Sequence, residues 1–350
     1  MRIGILTASR TNNNGTDLQC AAMYRLFQKT GAQVEVIDYA CKKLDNSRKL
    51  MLKCSLGNLI RLPWQIFNHL SHENFRRKHF VKSKKTYAPN ALMLDRYDAV
   101  VVGSDQIWNL KITGNDLNFF LPPSCGKTRR FAYAASLGVT DLADWENKYH
   151  LSEMLKQFEG VSVREGSGVA ALQSIGITAR EDLDPILCMT ETDWQALCPA
   201  QKKKENYVLL YTAEYSGELM QAAREYARKT GAKILRISNL RKPEAGIRTL
   251  SFVSMAKWLS LMRNAEMVYT NSYHGLSVAI AMHKNFRLFA LKKAEQNTRS
   301  MCLLEKLGLS EFAHSNQTSL IAAPDWQQTE KTLDALRQRS NAYIKTMLEE

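Results

Sequence analysis

At 350 residues the chain exceeds what one hydrophobic core ordinarily serves, so two domains, or one large domain with insertions, are expected. With 45% hydrophobic and 23% charged residues, 17 Gly and 8 Pro, the composition is that of a packed globular protein, which excludes fibres and wholesale disorder. A formal charge of +14, from 48 basic and 34 acidic residues, points to an anionic partner such as phosphate, nucleic acid or lipid headgroup. The chain begins RIGILTA, a short apolar run of strand type that turns polar after Leu6, so neither a signal-peptide core nor a membrane span is expected. After the TNNNG break, DLQCAAMYRLFQKTG has helical spacing and a Gly stop, and AQVEVIDY alternates as a strand.

The segment from Asp45 to Lys85 interrupts this rhythm. Leu52, Leu56, Leu59, Ile60, Ile66, Phe67 and Leu70 keep helical spacing near Trp64, while Pro63 is expected to break any single long helix. Between Cys41 and Tyr87 lie twelve basic residues against Asp45 and Glu73, so most of the net charge is local. Two readings stay open: an amphipathic element on an anionic membrane surface through residues 42–85, or a helical insertion on the first domain with a solvated basic face. Nucleic acid is not supported, because no interleaved aromatic and basic motif or helix-turn-helix spacing occurs.

Further on, YDAVVVGSD and RFAYAASLG are buried runs of the kind found in parallel sheets, followed by a helix from about Asp144 to Phe158, the strand VSVRE, the helix GSGVAALQSIG and ITAREDLDPIL. ETDWQALCPAQKKKE, from Glu191 to Glu205, is polar with one Pro and three lysines and is expected to be a linker. Beyond it NYVLLYTA, GELMQAAREYARKTG, AKILRIS, SMAKWLSLMRNA, EMVYTNS, YHGLSVAIAMH and NFRLFAL alternate strand and helix again. The expected fold is α/β, two Rossmann-like domains facing a cleft: an N-terminal domain over 1–190 carrying the insertion at about 45–85, and a C-terminal domain over 205–325. A last helix over 326–350 is expected to pack back on the first domain.

TNSYHGLSVAI is the sharpest local signal. A buried strand delivers Thr270, Asn271 and Ser272 to its end, His274 follows, and Gly275 opens a helix, so side chains and unsatisfied backbone N–H groups meet where an anion can bind. His274 is then placed for proton transfer; the competing reading is a capped helix with a structural histidine. In VVVGSDQIWN, Gly103 permits close approach and Ser104, Asp105, Gln106, Trp108 and Asn109 put polar groups beside an aromatic, which suits a sugar, or else turn and cap chemistry anchored by a core Trp108. Arg164, at a strand end in SVREGSG, suits clamping a phosphate or carboxylate, or else pairs with Glu165 or Asp184.

Several chemistries lack support. NNNGTDLQ has neither the dinucleotide nor the P-loop pattern, no H-E-x-x-H or Cys-His cluster suggests a metal, and neither G-x-S-x-G nor S-x-x-K supports a serine nucleophile. Cys20, Cys41, Cys54, Cys125, Cys188, Cys198 and Cys302 form no C-x-x-C pair and read as reduced cytosolic thiols filling the core. Acid–base and electrostatic chemistry on an anion remains.

Taken in order, NNNGTDLQCAAMYRLFQKTGAQVEVIDY, GSDQIWN, FAYAASLG, VSVREGSGVAAL with LDPIL, TNSYHGLSVAIAM and NTRSMCLLEKLGL resemble the polysaccharide pyruvyl transferase family, over about residues 3–310 without most of the basic insertion. The resemblance implies a transferase moving pyruvate from phosphoenolpyruvate to a sugar as a ketal, with no further cofactor, on a fold similar to the two-domain GT-B glycosyltransferases. It implies His274 as acid/base with Asp105. Arg164, Arg299, Ser272, Asn271 and Gly275 would serve the donor, and Asn14, Gln106, Trp108 and Asn109 the acceptor. Several branches carry Arg two residues before the motif His where this chain has Ser272, so Arg299 is the substitute donor charge, with Lys292 or Lys293 as alternatives. Together with the basic segment it implies a cytoplasmic protein peripheral at the inner membrane face, meeting a glycan or lipid-linked oligosaccharide. Two other functions stay open: a glycosyltransferase of the same shape using a nucleotide sugar, and a non-catalytic glycan-binding or scaffold member.

Overall fold

A computed structural model of the chain describes residues 1–45, 56–87, 94–122, 128–198, 205–238, 244–313 and 323–349, with side chains from residue 62 onward in the helix that begins at Leu56. Two compact units emerge: Met1–Lys49, Arg76–Cys188 and Asp334–Glu350 form the first, Leu50–Phe75 and Met189–Leu333 the second.

Along the first part of the chain come β1 (Arg2–Leu6), α1 (Asn14–Gln28), β2 (Gln33–Val36), the one-turn α2 (Lys42–Asp45) and α3 (Leu56–His79). Then follow β3 (Ala99–Val102), the short α4 (Leu110–Thr113), β4 (Arg129–Ala132), α5 (Ala143–Tyr149), α6 (Leu151–Leu155), β5 (Ser162–Val163), α7 (Gly166–Ser174) and β6 (Arg180–Glu181). The four-stranded sheet has the order β2-β1-β3-β4 and is parallel throughout, with Ile3 paired to both Val34 and Ala99. Isolated bridges Phe131–Gly160 and Ala135–Val163 carry the pattern on to the β5-β6 pair. Continuous apolar strands such as Ala99–Val102, buried at all four positions, are what a sheet covered on both faces requires.

The second unit comprises α8 (Glu191–Leu197), β7 (Tyr207–Tyr211), α9 (Gly217–Thr230), β8 (Lys233–Ile237), β9 (Ile247–Leu250), α10 (Met255–Asn264), β10 (Met267–Thr270), α11 (Tyr273–Ala281), β11 (Asn285–Leu288) and α12 (Thr298–Lys306). Its parallel five-stranded sheet runs β11-β10-β7-β8-β9. Leu219, Met220 and Ala223 of α9 bury one stripe against Val208, Leu210 and Ile234, as the i, i+1, i+4 spacing of an amphipathic helix dictates. The last helix, α13 (Trp326–Glu349), starts in this unit, where Trp326 stacks on His283 and Glu330 accepts from the same ring. It ends in the first unit, where Ser340 Oγ donates to Asp182 and Tyr343 Oη to the Ala132 carbonyl.

Four expectations need correction. The supposed linker holds α8, closed by a capping box between Thr190 and Asp193 and anchored by the buried Trp194 and Leu197; a polar composition hid two apolar anchors. The helix expected over Asp144–Phe158 is two, because His150 takes φ 51° and ends α5, after which Glu146 receives Ser152 N and Oγ. Pro63 lies inside α3 and does not end it: the later turns bury His72, Phe75 and Arg76, and packing outweighs one lost ladder bond. Finally, Leu50–Phe75 of the insertion group with the second unit, where Phe67 meets Phe252 edge-on at 5.4 Å and Ser71 Oγ accepts from Met255 N at the start of α10. Arg48, Lys49, Lys53, Leu52, Cys54 and Cys125 lie outside the described residues.

Of the described cysteines, Cys20, Cys41, Cys188 and Cys198 are buried free thiols, and burial pushes Cys41 and Cys188 up to about 12, which keeps them protonated and inert.

Candidate active site

In the first unit the chain leaves β1 for α1 and β2 on one side and returns for β3 on the other, so the carboxyl ends of β1 and β3 part at a switch point. The turn after β3 lies there. Gly103 adopts φ 136°, and a Cβ at that position would sit 2.0 Å from the Tyr133 carbonyl oxygen, so no side chain is tolerated. Asp105 follows with φ 58°. Its Oδ2 accepts from Thr16 Oγ1 and its Oδ1 from Gln106 N, each at 2.8 Å. Thr16 belongs to the first turn of α1, whose cap is Asn13, accepting from Gly15 N and Thr16 N. A carboxylate is therefore held, partly exposed, beside a helix N-terminus that favours negative charge.

Arg164 is also brought here, but not as a clamp. Its side chain is wholly buried, with Nη1 on Asp184 Oδ2 at 2.9 Å, Nε 3.6 Å from Glu165 Oε2 and Nη2 3.8 Å from Asp105 Oδ1. Three carboxylates around one guanidinium oppose the approach of a further anion, so the ion-pair reading holds and Arg164 positions Asp105. Glu165 is held in turn by Ser136 Oγ at 2.7 Å, Leu137 N and Gly138 N, which tie the turn after β4 to the start of α7.

Of the residues assigned to the acceptor, Trp108 is fully buried, stacks on Phe120 at 5.5 Å and donates Nε1–H to the Phe119 carbonyl, so it is a core anchor. Asn109 is buried and its Oδ1 caps α4 by accepting from Lys111 N and Ile112 N. Asn14 and Gln106 are half-buried, and Gln106 lines the Asp105 turn beside Gly138.

The second unit repeats the topology: β7, β8 and β9 run outward on one side, β10 and β11 on the other, so the switch point falls between β7 and β10. Thr270 Oγ1 donates to the Tyr211 carbonyl at 2.6 Å. The buried Asn271 is used on both sides, its Oδ1 accepting from Ala213 N and its Nδ2 donating to the Glu214 carbonyl, so it fastens the loop after β7. Glu214 Oε1 accepts from Lys292 N, and Asn297 clasps Leu291 through both amide atoms, which fixes the loop after β11. Ser272 caps α11, its Oγ accepting from Gly275 N. A Cβ on Gly275 would sit 2.5 Å from Thr270 Oγ1, so only glycine lets α11 start this close to the strand.

Around this rim three side chains gather. Tyr273 is buried, the half-exposed His274 meets its ring at 5.5 Å, and Arg299, on the first turn of α12, lies with Cζ 5.2 Å from the same ring. The structure thus joins His274 to Arg299 through Tyr273, at the N-terminal turns of two helices. Lys292 and Lys293 are exposed on the neighbouring loop. His274 and Arg299 belong to the second unit, Asp105 and Arg164 to the first.

Sequence reasoning missed Thr16, Tyr273, Glu214 and Asn297. Thr16 and Glu214 act through partners tens of residues away, Asn297 closes its own loop on Leu291 six residues before it, and Tyr273 was passed over for its neighbour His274.

A family model described as polysaccharide pyruvyl transferase matches residues 13–292. No curated protein sequence matches the chain. Among solved structures, it is similar to UDP-GlcNAc 2-epimerase from Methanocaldococcus jannaschii (TM-score 0.52, 12% identity, 99% of each chain covered). It also resembles the UDP-GlcNAc 2-epimerase from Neisseria meningitidis bound to UDP-GlcNAc (TM-score 0.51, 13% identity, 100% of this chain and 94% of that). A third is an alpha-glucosyltransferase in complex with UDP-glucose and DNA containing an abasic site (TM-score 0.51, 10% identity, 99% and 95%). At such identities the likeness concerns the fold: α/β with parallel sheets, the class shared with GT-B-like epimerases and glycosyltransferases.

Proposed function

The chain belongs to the polysaccharide pyruvyl transferase family, and from that premise we propose that it moves pyruvate from phosphoenolpyruvate to a sugar of a polysaccharide or of its lipid-linked precursor, closing a ketal across two hydroxyls. The observation that carries this reading is the pairing of His274 and Arg299 against Tyr273 at the head of α11. Phosphoenolpyruvate has a phosphate and a carboxylate on one trigonal carbon. A planar guanidinium together with the N–H groups of a helix start can hold such a dianionic end.

In the proposed reaction His274 delivers a proton to the methylene carbon, whose double-bond pair forms the new C–H bond. The neighbouring carbon becomes cationic, and an acceptor hydroxyl adds to it. Phosphate leaves with the pair of its C–O bond, and the second hydroxyl closes the ring. Of the two hydroxyl protons lost, one replaces that given by His274 and one leaves with phosphate. Arg299 holds the departing phosphate as charge builds on it.

Arg164 is left out of donor binding because of its three carboxylate neighbours. The second reading is a glycosyltransferase using a nucleotide sugar, favoured by the fold likeness to proteins solved with UDP-GlcNAc and UDP-glucose. Thermal-shift and calorimetric titration with phosphoenolpyruvate, inorganic phosphate, UDP-GlcNAc and a GDP-sugar separates the two. Saturable stabilisation by phosphoenolpyruvate beyond that by phosphate, lost in Arg299→Ala, supports the pyruvyl reading. Stabilisation by a nucleotide sugar alone overturns it.

A further inference from the structure

One exposed face of α3 carries the wrong chemistry for a solvated helix. Phe67 and Ser71, four residues apart, hold α3 to the start of α10 through Phe252 and Met255 N. A step around the helix, Pro63, Ile66, Leu70, Asn74 and Arg77 recur at spacings of three and four and are all exposed, which places them along one stripe. The first three are apolar: Ile66 is 42% exposed and Leu70 59%. Phe252, packed on Phe67, is itself 54% exposed, so the loop between β9 and α10 extends the apolar area beside the helix. Scattered single apolar residues need no explanation, but a helical stripe continued by an aromatic on a second element is a surface awaiting a partner.

The charge says what that partner is. The same helix ends in the exposed Arg77 and Lys78, and Arg248 and Lys257 are exposed on β9 and α10 to either side of Phe252 in sequence. The stretch from Cys41 to Tyr87 holds twelve basic residues and two acidic ones. Part of that excess is internally compensated, because Arg76 is wholly buried on Asp17 at 2.8 Å and Lys82 lies 3.8 Å from Asp38. Arg77, Lys78, Lys84 and Lys85 remain exposed. The apolar side chains of the second unit, with Arg248 and Lys257 beside Phe252, match the acyl boundary and the anionic headgroups of a lipid leaflet. Among the described residues no helix is long and apolar enough to cross a membrane, so the mode is docking in the surface plane.

We propose that the stripe Pro63–Ile66–Leu70, with Phe252, inserts shallowly into an anionic lipid surface and that Arg248 and Lys257, exposed on either side of Phe252 in sequence, hold the headgroups. A lipid-linked acceptor would be met at such a surface, but the proposal is testable without any substrate, so its failure leaves the donor assignment standing and the reverse is equally true.

The experiment is co-sedimentation of the full chain with vesicles of phosphatidylcholine alone and of phosphatidylcholine mixed with phosphatidylglycerol, at low and high salt. Binding to the mixed vesicles that Ile66→Asp with Leu70→Asp weakens about tenfold or more is expected, with an unchanged melting temperature because both side chains are exposed. Phe252→Ser should weaken it in the same direction, and Arg248→Glu with Lys257→Glu should weaken it and lower its salt dependence. Absence of binding, or binding indifferent to the Ile66 and Leu70 changes, overturns the proposal. So does a concentration-dependent dimer in solution that the same two changes dissociate, which would make a second copy of the chain the occupant.

Discussion

Arg164 Nη1 and Asp184 Oδ2 stand 2.9 Å apart with neither side chain exposed. Twenty residues separate them, and Asp184 also receives Ile186 N, so this pair fastens the end of β5 to the turn leading into the residues before the second unit.

Removing one partner of such a pair leaves an uncompensated charge in a dry setting. Arg164→Ala is expected to lose about 3–5 kcal/mol of stability, a scale set by broken buried pairs. Chemical denaturation read by Trp fluorescence checks it. A variant as stable as the parent but unable to bind phosphoenolpyruvate would restore Arg164 to the donor site and refute its positioning role.

Gly103 makes the Asp105 turn possible, since a Cβ would lie 2.0 Å from a backbone oxygen that cannot rotate away. Gly103→Ala should therefore cost about 3 kcal/mol or more, as expected of strain that neighbours cannot relieve. Expression in the soluble fraction and the melting temperature report it. A well-folded Gly103→Ala protein would mean that the turn has another conformation.

His274 is half-exposed and touches Tyr273, whereas Arg299 rests on the same ring from α12. His274→Ala should lower kcat by about a hundredfold or more if it is the proton donor, with the melting temperature nearly unchanged. Arg299→Lys keeps the charge but loses the planar fork, and should raise KM for phosphoenolpyruvate more than it lowers kcat. A large stability loss in His274→Ala would instead identify a structural histidine.

Burial, with Arg25 and Lys78 adding repulsion, lowers the His79 pKa to about 4. Its neutral form is thus favoured by folding, so the contribution to stability is fully present above the unfolded value near 6.5 and is lost as pH falls from there towards 4. Because the half-buried ring is partly screened by solvent, the expected loss is about 1–2 kcal/mol. Melting temperatures at pH 7 and pH 4.5 should differ less in His79→Gln than in the parent. An equal difference would show that other groups carry the acid limb.

Much of the secondary structure was legible because periodicity is local. The buried runs Arg2–Leu6, Ala99–Val102, Tyr207–Tyr211 and Met267–Thr270 are strands as their composition requires, and Gly231 ends α9 with φ 70° where the sequence places its stop. Edge strand β9 escaped notice because only Ile247 of its four residues is buried, so it carries no apolar alternation. Within the site, the motif segments were visible but the work of each side chain was not. Asn13 caps α1, Trp108 turns inward, and Asn271 fastens the loop after β7.

By itself the sequence determined the α/β alternation, the family, and the loops that bear Asp105 and His274, because strand and helix patterns and ordered motifs are properties of neighbouring residues. The tertiary structure decided which polar groups are spent on holding the fold and which face outward. Arg164 meets Asp105 across 59 residues and Arg76 meets Asp17 across the same span, while Phe67 meets Phe252 across 185. A buried charge must find its counterion wherever the chain brings one, and that pairing is set by the packing of distant elements, which no local spacing encodes.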